Sequence, residues 1–104
     1  MTQTQYHLPR EKIFVGTDWE LTLDCETDVS AMVTRQIHFR RPNKKAWYKR
    51  VAALVGTNYL RIDISNTDNT TPGNWTFRTY VIDATGKIYK GTFFVKEIQK
   101  DWVE

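Results

Sequence analysis

Residues 75–95 hold the strongest constraint on the fold, two alternating runs joined by a tight turn. Trp75, Phe77, Thr79 and Val81 share one phase, and Arg78, Tyr80 and Ile82 the other. Asp83-Ala-Thr-Gly86 interrupts the pattern, and Tyr89, Gly91, Phe93 and Val95 carry it back. A period of two belongs to a β-strand, whose successive side chains point to opposite faces. Gly86 is free to take the positive φ of a tight turn. The segment therefore reads as a β-hairpin. Each large apolar side chain gains roughly 1.5–3 kcal/mol on burial, so the apolar face belongs in a core. The alternation places Trp75, Phe77, Val81, Phe93 and Val95 there.

The rest of the chain reads similarly. Residues 12–16 make a short strand. Residues 19–26 alternate, with Leu21, Leu23 and Cys25 on one face and Thr22, Asp24 and Glu26 on the other. In 33–42, Val33, Ile37 and Phe39 point inward, while Gln36, His38 and Arg40 point outward. Pro42 ends that strand because it has no N–H for a ladder. Residues 46–55 read as a strand or a short helix, with Trp47, Tyr48 and Val51 favouring the strand, and 58–65 alternate through Leu60, Ile62 and Ile64. Residues 66–74 are crowded with turn formers. About seven short strands, spaced roughly 8–12 residues apart with no convincing helix, make an all-β sandwich or barrel.

The 104 residues suit one domain. Residues 1–11 carry no core pattern and read as a flexible N-terminal arm, 12–98 as the sandwich and 99–104 as a C-terminal tail. No apolar run is long enough to span a membrane as a helix. The first residues lack the apolar stretch of a secretory signal, and Cys25 is the sole cysteine. The expectation is synthesis in a reducing cytoplasm without signal-directed secretion. The net charge of +3 is mild, but its distribution is uneven. No acid falls between Asp28 and Asp63, an interval holding Arg35, Arg40, Arg41, Lys44, Lys45, Lys49, Arg50 and Arg61.

Residues for catalysis are scarce. The two histidines, His7 and His38, lie in the arm and on a basic strand, and no set of four metal ligands accompanies them. There is no glycine-rich phosphate loop, nucleophile elbow or zinc-protease motif. Cys25 reads as an inward, inert thiol. Glu20, Asp24, Glu26 and Asp28 lack the glycine-bearing loop of a calcium site. The expectation is no enzyme activity, no catalytic or metal residues and no cofactor.

Gly16–Thr17, Arg41–Pro42, Pro72–Gly73 with Trp75, Asp83 with Gly86, and Phe93–Val95 form a series that resembles small immunoglobulin-like modules of tailed bacteriophages. The likeness runs from about residue 13 to 97. The resemblance implies an immunoglobulin-like antiparallel β-sandwich. It also implies a non-catalytic, multi-copy structural component of the virion, in the tail, neck, baseplate or head decoration, that clamps or decorates larger protein subunits. A carbohydrate- or surface-binding module is the alternative, suggested by Trp19, Trp47, Trp75 and Trp102. A small nucleic-acid-binding β-barrel is third, suggested by basic groups interleaved with aromatics. The partner-binding candidates are Tyr6 and Leu8 in the arm, Arg40 and Lys49 on the basic edge, and Trp102 in the tail. Core-defining candidates are Leu21, Leu23, Ile37, Phe39 and the hairpin residues named above.

Overall fold

A computed structural model describes residues 12–100 and the backbone of residues 4–6. Among the described residues there is no helix. The strands are β1 (Thr4–Tyr6), β2 (Ile13–Phe14), β3 (Trp19–Asp24), β4 (Thr34–Arg40), β5 (Tyr48–Val51), β6 (Ala53–Val55), β7 (Tyr59–Ile64), β8 (Gly73–Ile82), β9 (Ile88–Lys90) and β10 (Phe94–Gln99). They form two sheets. One has the order β1-β3-β7-β6, and the other β2-β10-β8-β4-β5 with β9 also on β8. Pairing is antiparallel except for β2, which runs parallel to β10.

Alternation drives the two sheets together. Trp19, Leu21 and Leu23 of β3 and Leu60, Ile62 and Ile64 of β7 are buried. So are Ile37 and Phe39 of β4 and Trp75, Phe77 and Val81 of β8. Trp75 stacks with Phe39 at 5.8 Å between ring centres, and Trp19 meets Phe77 edge-on at 5.8 Å. The Trp75 indole N–H donates to the Thr71 carbonyl at 2.8 Å, so its polar edge is satisfied inside the core.

The strands outnumber the seven expected from alternation, for three local reasons. Residues 46–55 divide at buried Ala52, so β5 joins the larger sheet and β6 the smaller. The N–H of Ala52 donates to the Arg35 carbonyl at 3.0 Å, which fixes the corner. The return strand of the hairpin divides into β9 and β10. Within the expected arm, the backbone of β1 pairs with Leu21–Leu23.

The break between β9 and β10 corrects the expected core. Tyr80 pairs with Lys90, and Gly91 N donates to Thr79 O at 3.0 Å, yet Phe77 pairs with Phe94. Thr92 and Phe93 thus lie opposite Arg78 alone. This is a β-bulge, in which two residues on one strand face one on its partner. The extra residue reverses the phase of everything after it. Phe94 and Ile98 turn inward, and Phe93 (59% exposed) and Val95 (52%) turn out, against the expectation that both define the core. Gly91 is needed at the break, because a Cβ there would collide with the Thr79 hydroxyl.

Around β4, one further expectation is corrected and one is met with a difference. Val33 is 66% exposed rather than inward, because it precedes the strand at the open end of the sandwich. His38 points to the outer face as expected but is only 5% exposed, because neighbouring side chains cover it. The hairpin turn has the expected form. Gly86 has φ +90°, and Asp83 Oδ1 accepts from Thr85 N and Lys87 N at 2.9 and 3.0 Å.

Candidate functional site

The residues that stand out lie on the outer face of the larger sheet. Strand register sets them in rows. Val51, Gln36, Tyr80 and Lys90 run across β5, β4, β8 and β9. Lys49, His38 and Arg78 form the next row, and Arg40, Thr76 and Val95 the one after. The bulge adds Phe93 beside Arg78.

Two aromatic pairs organise this face. The rings of Trp47 and Phe93 stack at 5.7 Å. The Arg78 guanidinium lies 5.1 Å from each ring centre, and that of Arg40 lies 5.0 Å from Trp47. The His38 and Tyr80 rings stack at 4.2 Å, and His38 Nε2 is 3.0 Å from Gln36 Oε1. Burial, then the charges of Lys49, Arg78 and Lys90, hold the His38 imidazole below its ordinary pKa. His38 is therefore neutral at neutral pH and serves as a flat prop for Tyr80 among cations.

The basic interval separates into working groups. Arg35 Nη1 donates to the carbonyls of Val29, Ser30 and Met32 at 3.3, 3.1 and 3.1 Å, which fastens the connection before β4. Arg50 bonds Asp68 at 3.1 Å and the Asp63 carbonyl at 2.9 Å. Arg41 lies 3.9 Å from Asp68 and over Tyr48 and Trp75. Those three hold the fold. Arg61 projects from the other sheet. In contrast, Arg40, Lys49, Arg78 and Lys90 share one face, and none makes an ion pair with a described residue. Arg78 Nε is enclosed and has no hydrogen-bond partner among the described residues.

Arg40 and Lys49, candidates from sequence, are thus brought together. Arg78 and Lys90 complete the cluster but were not singled out by sequence, and Phe93, expected in the core, joins them on the outer face. The phase of β8 placed Arg78 outward, which was the available signal. Phe93 needed the bulge. Tyr6 is described only as backbone in β1, and Leu8 and Trp102 lie outside the described residues.

The remaining candidates for chemistry are structural. Cys25 is half-buried, and burial, opposed by a hydrogen bond from Thr79 and aided by Asp24, pushes its thiol up to about 11. A thiol with that pKa is a poor nucleophile. Cys25 lines a cleft of about 400 Å³ with Val29, Met32, Val81 and Tyr89. Asn69, the first residue of one Asn-x-Thr sequence, is fully buried and donates to the Phe14 and Thr17 carbonyls at 2.9 Å each. Among the described residues no group of three or more His, Cys, Asp or Glu is placed to hold a metal.

No protein-family model matches the chain, and no curated protein matches it.

Proposed function

We propose that the protein is a non-catalytic structural module of a bacteriophage particle, docking on larger subunits through the outer face of its larger sheet. The observation that carries the docking is the concentration there of Arg40, Lys49, Arg78 and Lys90, without described ion-pair partners, with Arg40 and Arg78 held against a stacked Trp47–Phe93 pair. Cations held against aromatic rings lose less freedom on binding than free side chains do. Such a face suits an acidic protein surface, where charge complementarity steers docking and fixes its register.

The same geometry ranks the alternatives. Sugar or base stacking needs open ring faces. Trp47 already has Phe93, Arg40 and Arg78 against it, and His38 lies under Tyr80. The aromatics position the cations, and the cations meet the partner. This favours a protein partner over a glycan or a single strand.

We also read the sandwich as immunoglobulin-like. Strands β1, β3, β7 and β6 lie in one sheet and β4, β8 and β9/β10 in the other, the partition that such a domain makes of its strands. The phage assignment rests on the sequence resemblance. In this reading the arm and tail, with Tyr6, Leu8 and Trp102, supply further grip. Density-gradient purification of particles from the producing cells, with quantitative mass spectrometry, tests the proposal. The protein should band with the capsid and tail proteins in stoichiometric amount and elute as salt rises. Its presence only in the unassembled fraction would refute the virion role.

A further inference from the structure

The opposite face of the molecule has the opposite charge. On the outer face of the smaller sheet, Glu20 lies across from Asp63, Thr22 from Arg61 and Asp24 from Tyr59. Among the described residues, three carboxylates and one guanidinium stand on that face. The Asp63 carboxylate has no partner among the described residues. The cationic and acidic faces lie on the two outer sides of one sandwich, so both are available to neighbours at once.

We infer that copies of this chain stack head to tail, the cationic face of one against the acidic face of the next. This rests on the docking role proposed above and names a second copy as a partner. The contact is heterologous, since different patches meet, and so it propagates into an arc, ring or filament rather than closing as a dimer. Its size follows from the smaller face. Two strands of six residues and two of three, at ~3.3 Å per residue and ~4.8 Å between strands, cover roughly 300 Å². That is well under half the ~800 Å² per partner of a standard interface. The contact is therefore weak in free solution and effective where a scaffold holds copies at high local concentration. Long-range attraction between such faces is screened by salt.

The test is sedimentation velocity on the full chain at rising concentration, in low and high salt. Wild type should show concentration-dependent growth beyond dimer in low salt and revert to monomer in high salt. A cationic-face variant (Arg40→Glu with Lys49→Glu) and an acidic-face variant (Asp63→Lys with Thr22→Lys) should each stay monomeric. Mixed in equal amounts at low salt, they should form a 1:1 dimer and nothing larger, because each retains the face the other has lost. Melting curves check that both variants are folded. If Arg40→Glu disturbs the Trp47 packing, Lys49→Glu with Lys90→Glu replaces it. A wild type that stays monomeric throughout, or a mixture that yields no dimer, overturns the inference. A monomeric wild type that still enters particles overturns the second-copy contact alone and leaves the docking proposal standing.

Discussion

Replacing Trp75 by alanine measures how far the domain depends on its largest fully buried side chain. The Trp75 ring centre lies 5.8 Å from Phe39 and 6.3 Å from Phe77, and Arg41 lies 5.5 Å over it. Its N–H donates to the Thr71 carbonyl at 2.8 Å. Truncating a buried Trp costs about 3–5 kcal/mol, against a total of about 5–15 kcal/mol for a whole domain. At roughly 4–8 °C per kcal/mol for a chain of this size, the melting temperature falls by at least about 12 °C. Trp75→Phe keeps most of the ring but loses the donor, so the loss should be nearer 1–3 kcal/mol, dominated by the stranded carbonyl. Thermal melts followed by near-UV circular dichroism separate the three proteins. An alanine variant melting within about two degrees of wild type would refute the packing described for the sandwich interior.

The bulge and the buried histidine yield two further outcomes. Deleting Thr92 leaves Phe93 opposite Arg78 and Phe94 opposite Phe77, so the core phase is kept and the protein stays folded. Deleting Val95 instead turns Ile98 outward and should unfold the edge, as proteolysis or hydrogen exchange would reveal. His38 is held below its ordinary value of 6.5 by burial and then by Lys49, Arg78 and Lys90, with Tyr80 stacked on it and Gln36 bonded to it. Above 6.5 both folded and unfolded forms are neutral there. As pH falls below 6.5 the unfolded chain takes a proton that the folded chain resists, so stability declines. His38→Gln should flatten the decline between about pH 7 and 5, measured by urea unfolding. An unchanged slope would mean that His38 is not its source.

Much of the fold was legible in the sequence because β3, β7 and β8 each bury one face, which imprints a period of two on Leu21–Leu23, Leu60–Ile64 and Trp75–Val81. The Pro42, Asp83 and Gly86 breaks were legible because each has a backbone reason. Gly73 shows the same logic, with φ +120° and a Cβ position only 3.0 Å from Pro42. What periodicity could not reveal is a change of phase. Nothing in Gly91-Thr-Phe-Phe says which phenylalanine turns inward, because both are apolar. The collision at Thr79, on the facing strand of the hairpin, explains why Gly91 is needed at the break. Ala52 likewise hides a change of sheet. The candidate site was legible only in part, since Arg40 and Lys49 fall within one basic run while Arg78 and Lys90 reach them across strand pairs. Charge counting also grouped Arg35, Arg41 and Arg50 with the face, although hydrogen bonds occupy Arg35 and Arg50 in holding loops, and Arg41 sits near Asp68 and over Tyr48 and Trp75.

Particle incorporation of a folded charge-reversal variant tests the central claim most directly. Cells producing particles would supply either wild type or the Arg40→Glu, Lys49→Glu variant at equal expression, and gradient-purified particles would be quantified for each. The account predicts matching melting curves, wild type on the particle, and at least about a tenfold loss of the variant, since reversing two docking charges costs more than the ~1.4 kcal/mol that a factor of ten requires. The loss should be larger in low salt, where attraction is least screened. Equal incorporation of the two folded proteins would contradict the account, because the cationic face would then have no part in docking.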